Sequence, residues 1–303
     1  MSSMTRVGVV GAGRVGAVLA AALRAAGHEV SAVAGESAAS RTRIETLLPG
    51  VPVDKPTAVA RSADLLLLTV PDDMLPNVVT MLAASRAIRA GQQVVHTSGK
   101  HGLAVLRPAA EVGADVLAMH PAMTFTGTDV DLDRLPGCVF GVTATERTWP
   151  VAVSLAGDLG GRLVRVEERH RTLYHAGLAH GANHLVTLVS QAMDLLRASG
   201  SDDPAATLRP LLTAALDNAL SYGDAALTGP IVRGDVETVR AHLAELSHAG
   251  PGSLESYVAM ARATAERAVL DGRLLPIRAA KLAGVLDAAV DRGTARGAAG
   301  RTG

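Results

Sequence analysis

Apolar residues follow two rhythms along this chain. Up to about residue 168, short apolar runs alternate with helical patterns; beyond it, long Ala/Leu-rich stretches carry a helical period alone. The runs at Val7–Val10, Val30–Ala34, Leu65–Val70, Gln93–His96, Asp115–Met119, Cys138–Val142 and Arg162–Val166 predict strands, with a short one at Val51–Val53. Helices are predicted at Ala17–Ala26, Arg41–Leu48 and Trp149–Leu159. Apolar runs bounded by helical segments are those of a parallel sheet covered on both faces. In the second rhythm, helices are predicted over Arg171–Ala198, Pro204–Tyr222, Val236–Leu246, Leu254–Leu270 and Arg278–Ala289, the second broken or kinked at Pro210. The outline is an α/β domain over residues 1–168, an all-helical domain over 169–292, and a small, polar, disordered tail over 293–303.

Composition narrows the classes. The chain has 303 residues, 29 basic against 29 acidic, so no basic surplus points to nucleic acid. Aromatic residues make up 2%, too few for a base-stacking platform. Cys138 is the single cysteine, with no partner for an internal disulfide and no metal-ligand spacing around it, which suits a reducing cytoplasm. The first strand follows Met1–Arg6 directly, leaving no room for a signal peptide, and the apolar runs are too short to span a bilayer. A cytoplasmic protein without membrane or nucleic-acid partners is expected.

The segment Val7-Gly8-Val9-Val10-Gly11-Ala12-Gly13-Arg14-Val15-Gly16 runs from an apolar strand through a glycine turn into a helix. Gly11 permits a tight turn, Gly13 lets a ligand approach the backbone, and Gly16 lets helix and strand pack closely. With Ala12, Arg14 and Val15 they form a cradle of helix-start N–H groups for a dinucleotide pyrophosphate. The second predicted strand ends at Ala34-Gly35, before Glu36-Ser37-Ala38-Ala39-Ser40-Arg41-Thr42-Arg43. Ser37, Ser40 and Arg41, with Arg43, offer donors to a ribose 2′-phosphate, which favours NADP(H) over NAD(H). Glu36 is the opposing signal, since an acid there suits the 2′-hydroxyl of NAD. The plainer alternative is a solvated helix start with Ser40 as its cap and the arginines in water.

Ligands of open parallel sheets bind beyond the carboxyl ends of the strands. Val70 and Pro71 there line a cofactor path or form an ordinary helix-capping turn. Ser98 and Gly99, in His96-Thr97-Ser98-Gly99, allow close approach of nicotinamide and substrate, while His96 is either functional or a buried histidine bonded to backbone. His120, extended before Pro121, either faces the cleft or serves a turn. On the predicted helix from Arg171, the residues Ala176, Ala179, Asn183, Thr187 and Ser190 form a small polar face, with His175 at its border. His175 is a proton donor or a packing histidine. His180 and His184 lack a carboxylate or cysteine for a metal site, and none is expected.

Together the motifs GAGRVG, TVPD, HTSG (His96–Gly99), HPAM (His120–Met123), Tyr174-His175-Ala176-Gly177 with Asn183, and Thr228-Gly229-Pro230 with Arg233-Gly234-Asp235 resemble the bacterial Rossmann-like proteins with a DUF2520 C-terminal domain, over nearly the whole length. That family is similar to 6-phosphogluconate dehydrogenase, ketopantoate reductase, pyrroline-5-carboxylate reductase and the deazaflavin-dependent NADP reductases. The resemblance implies an N-terminal Rossmann-type domain and an NADPH-dependent reductase of a small oxo acid or related carbonyl compound, ketopantoate first, acting at the domain cleft. It places His175 where ketopantoate reductases carry a catalytic lysine and Ala179 where they carry an asparagine, while Asn183 keeps the second asparagine. His175 would then supply the proton, Asn183 and Ser98 would orient the substrate, and Arg233 would hold its acid group. The bland reading of the Arg233 segment is a Gly-Pro turn with Asp235 capping the next helix. The departures at 175 and 179 leave open a non-catalytic NADP(H)-binding protein; an imine reductase and a deazaflavin-linked NADP reductase are further alternatives. By analogy a homodimer is expected.

Overall fold

The computed structural model describes residues 4–249 and 252–299, with side chains to residue 290. The chain divides into two compact units, Met1–Asn183 and His184–Gly303, so the boundary falls after the segment carrying His175 rather than at 168. In the first unit β1 (Arg6–Val10), α1 (Arg14–Ala25), β2 (Glu29–Ala34), α2 (Ala38–Leu47), α3 (Pro56–Ser62), β3 (Leu65–Leu68), α4 (Leu75–Ala84) and β4 (Gln93–His96) alternate. Then come α5 (Arg107–Glu111), β5 (Asp115–Pro121), α6 (Val130–Arg134), β6 (Val139–Ala144), α7 (Trp149–Asp158), β7 (Arg162–Arg165) and α8 (Arg171–Leu178). A π-helical turn, Ala179–Asn183, closes the unit.

The strands form one sheet in the order β2-β1-β3-β4-β5-β6-β7. Side chains of β3 alternate across it: Leu65 and Leu67 join the core with α1, α2 and α7, while Leu66 and Leu68 join the core with α3 and α4. A strand buried on both faces must be apolar at every position, as Leu65–Leu68 is. The order reverses at β1, leaving a crevice between the ends of β1 and β3, where ligands of doubly wound sheets sit.

Two expectations are corrected. The sheet is not wholly parallel, because β6 runs antiparallel to β5, with Pro121 opposite Phe140. The connection carries only the five-residue α6 and no helical crossover to the far edge, so β6 starts beside the end of β5 and runs back. The strand expected at Val51–Val53 is a single bridge, Val33 to Val53, since Pro52 has no N–H to extend a ladder. Helices α3, α5 and α6, at seven residues or fewer, are too short for the period to reveal.

The second unit holds α9 (His184–Ala198), α10 (Pro204–Tyr222), α11 (Pro230–Arg233), α12 (Val236–Leu246), α13 (Ser253–Leu270) and α14 (Pro276–Ala299). Its core lies among α11 to α14, around Val239, Leu243, Val258, Leu282 and Leu286. Helix α10 runs through Pro210 without dividing, and α14 continues to Ala299, past the 293 where structure was expected to stop; residues 300–303 lie outside the described residues. Helix α9 buries no residue and α10 only Pro204 and Leu208. Among the described residues no helix is long and apolar enough to cross a membrane.

Candidate functional site

Each glycine of the first turn has its own geometry. Gly11 sits at φ +102°, and a Cβ there would lie 2.7 Å from both Thr69 C and Val70 N. A Cβ on Gly16 would overlap Thr69 Oγ1 and Gly11 O, so α1 can lie this close to the strands only with glycine there. Gly13 meets nothing nearer than Gly11 O at 3.8 Å; its face is open. Gly11 and Ala12 donate their N–H groups to Ala34 O at 3.0 and 2.9 Å, tying the turn to β2. Gly13 caps α1 without a side chain, so the first-turn N–H groups of Arg14, Val15 and Gly16 point outward unpaired at the positive end of a 12-residue helix. Val70 and Pro71 follow β3 directly beside this turn.

At the end of β2 a cavity of about 400 Å³ is lined by Gly35, Glu36, Arg41, Asp54 and Lys55, among others. Arg41 is where the sequence expected it. Lys55 was not anticipated, because it lies well beyond the end of β2 in sequence and reaches the cavity only through the fold. Ser37 is not a free donor: it caps α2, accepting from Ser40 N–H at 3.1 Å and donating to the Ser40 hydroxyl at 2.9 Å. The cap is Ser37, where the plainer reading had Ser40, and Ser40 is buried in the first turn.

The ends of β4 and β5, the strand β6 and the helix α8 bring a second group together. His96 is fully buried; its Nδ1 accepts from Ser98 N–H at 3.1 Å, so Nε2 carries the proton and donates to Gly102 O at 2.8 Å. Burial pushes it down to about 4, so it is a neutral staple across the 96–102 loop. Ser98 Oγ accepts from His101 N–H at 3.1 Å, placing that hydroxyl in the loop's own bonding. A Cβ on Gly99 would overlap the ring of His175, so the glycine makes the room that His175 occupies. His120 lies edge-on to His175, centroids 5.8 Å apart, and its Nδ1 is 3.1 Å from Tyr174 Oη. Burial, with Arg171 and His175 adding to it, pushes His120 to about 4.

Arg171 holds this group together. It is fully buried, donating Nη1 to Gly141 O at 2.9 Å and to Thr143 Oγ1 at 3.5 Å, and Nη2 to Ser98 O. Glu168 fixes the same corner by accepting from the N–H groups of Leu103 and Ala104 at 2.6 and 3.1 Å. Ser98, Gly99, His120 and His175, read from three separate stretches, thus converge. Arg171 and Tyr174 were not singled out, although Arg171, Tyr174 and His175 stand at i, i+3 and i+4 on one helix face, a spacing that could have marked them.

Asn183 does not join this group. It is exposed at the end of the π-helical turn, and that turn breaks the 3.6-residue period on which the face containing Asn183 was read. Arg233 is exposed in the second unit, with its carbonyl accepting from Arg278 Nη1 at 3.0 Å. Asp235 caps α12 through Thr238 N–H at 3.2 Å, as the turn reading has it. Among the described residues no group of three or more metal-ligating side chains occurs.

A sheet with a reversal point, a glycine turn there and an uncapped helix start define a dinucleotide-binding fold. Residues 2–121 match the Rossmann-like domain family and residues 138–264 match DUF2520, a domain of unknown function. The chain therefore carries a Rossmann-like domain followed by a DUF2520 domain. No curated protein matches it. Its fold is similar to that of a candidate NADP oxidoreductase from Bacteroides fragilis, with a TM-score of 0.75 at 19% identity over 87% of this chain and 98% of that one. An imine reductase from Myxococcus stipitatus in complex with NADP+ gives 0.58 at 18% identity over 95% of each chain. Pyrroline carboxylate reductase from Plasmodium falciparum with NADP bound gives 0.54 at 12% identity over 97% and 99%. At these identities the likeness is one of fold.

Proposed function

We propose that this protein is an NADP(H)-dependent oxidoreductase that reduces a small carbonyl or imine compound beyond the strand ends of its first unit. The observation that carries the reading is the division of labour in the glycine turn: Gly11 and Gly16 are needed for packing, while Gly13 leaves open the face a pyrophosphate would take. The residues present fit the cofactor. First-turn N–H groups of Arg14, Val15 and Gly16 would hold the pyrophosphate, and Arg41 with Lys55 would hold a 2′-phosphate against Glu36 and Asp54. A bound reduced nicotinamide supplies hydride. The chain's own part is to orient the acceptor at Ser98 and Gly99 and to deliver a proton from the group formed by His120, Tyr174 and His175.

An oxo acid such as ketopantoate is the first substrate to test, and a cyclic imine the second, since structural neighbours include imine and pyrroline carboxylate reductases. Histidine at 175 in place of the ketopantoate reductases' lysine favours a different donor arrangement or a binding protein without catalysis. Fluorescence titration with NADPH and NADH, followed by NADPH oxidation with a panel of oxo acids and cyclic imines, separates these. Cofactor binding with no turnover across the panel would leave the binding-protein reading; no binding of either nucleotide would sink both. Exposed Val186, Leu211, Leu216 and Leu220 on α9 and α10 support the expected homodimer, which sedimentation would test.

A further inference from the structure

A guanidinium at 1% exposure without an acidic ion-pair partner is costly to bury. Arg171 Nε has no hydrogen-bond partner. The Glu168 carboxylate accepts its hydrogen bonds from Leu103 and Ala104, and both Glu168 and Asp72 act on Arg171 only through space. One helical turn on stands Tyr174, its ring centroid 5.7 Å from the Arg171 guanidinium carbon and its Oη 3.1 Å from His120 Nδ1. Gly141 lies against this oxygen and must be glycine, because a Cβ would overlap Tyr174 Oη. Arg171 on α8 and the backbone of Gly141 on β6 favour negative charge on this phenol oxygen, and His120 on β5 is within hydrogen-bond reach of it. Burial is the largest influence and, with the thiol of Cys138, holds the Tyr174 phenol above its ordinary value, so the charge of Arg171 is what offsets the cost of ionising it there. A tyrosine placed only for packing needs no such surroundings.

We propose that Tyr174 donates the proton that completes the reduction, and that Arg171 is the positioning residue whose charge stabilises the phenolate left behind. This rests on the reductase reading above. As the acceptor carbon gains hydride, the Tyr174 O–H bond breaks and its proton bonds the acceptor oxygen or nitrogen. The phenolate then takes the Nδ1 proton of His120 while Nε2 takes a proton from solvent acid, and proton exchange with solvent returns the imidazole, neutral at rest, to its Nδ1–H form before the next turnover. His175 packs against this pair and shapes it.

Two measurements test the assignment. In the protein alone, tyrosinate absorbance titrated against pH, with Tyr174→Phe identifying the signal, should place Tyr174 ionisation about one pH unit or more higher in Arg171→Met than in wild type. Arg171→Lys, which keeps the charge, should restore most of that shift; an unchanged titration in Arg171→Met would overturn the role of Arg171. In the oxo acid and imine panel, Tyr174→Phe should lower kcat about 100-fold or more while leaving the NADPH Kd within about twofold. Turnover within about threefold of wild type would overturn Tyr174 as donor. If wild type itself turns over nothing, the reductase reading fails and the donor role falls with it, while the titration still decides whether Arg171 governs Tyr174.

Discussion

The glycine turn and the His120–Tyr174–His175 group stand at ends of the same sheet but are built from different material. The turn is backbone: its glycines lie within ten consecutive residues, held by Ala34 and Thr69, and its chemistry is the unpaired N–H groups of a helix start. The group is side chain: its members come from β5 and α8 and meet directly, with buried Arg171 tying α8 to β6 and to the loop after β4. The contrast teaches that a site made of local backbone geometry is robust to its surroundings, whereas one made of converging side chains depends on every element that supports it.

Substitutions can break that contrast, beginning with the largest effect. Gly16→Val should cost about 3 kcal/mol in urea denaturation, since Thr69 and Gly11 O must move, and should abolish NADPH binding. Gly13→Ala should leave stability within about 0.5 kcal/mol yet weaken NADPH at least about tenfold in the same fluorescence titration, because only the ligand occupies that face. If Gly13→Ala binds NADPH as wild type does, the turn is structural alone.

Acid should separate the side-chain region from the rest. His96 titrates near 4 when folded and near 6.5 when unfolded, so between those values the unfolded chain binds more protons. Stability therefore falls as pH drops from about 6.5 to about 4, by about 3 kcal/mol from this residue. Denaturation midpoints across that range would check it, and a flat profile would contradict a neutral buried His96. Next, Arg41→Ala should weaken NADPH about tenfold and NADH little; equal losses would contradict a phosphate role for Arg41. The smallest effect concerns Gly99 and His175. Gly99→Ala should destabilise the fold, and His175→Ala in the same chain should relieve it by about 1 kcal/mol in a double-mutant cycle. Additive effects would mean that the two do not share space.

Much of the fold was legible because the apolar period changes from strand runs to helical stripes near residue 168, and buried strands such as Leu65–Leu68 admit nothing polar. The antiparallel β6 was not legible, since strand direction depends on where a connection travels, and a connection's path leaves no mark on its own composition. At the site, His120 and His175 were noticed as chemistry-bearing residues, but the partner that relates them was missed. Arg171 looks in sequence like any surface arginine at a helix start; only the packing of β6 against α8 buries it.

The chain by itself determined the glycine turn, the two-part organisation and the candidate phosphate-binding arginine, because each is fixed by neighbours within about ten residues. Tertiary structure alone decided that Ser37 and Ser40 bond each other, that Lys55 faces Arg41 across one cavity, and that Tyr174 shares its oxygen with His120 beside a buried charge. The physical reason is range. Backbone conformation answers to local sterics, whereas the charge state and partners of a side chain answer to whatever the fold brings within a few ångströms.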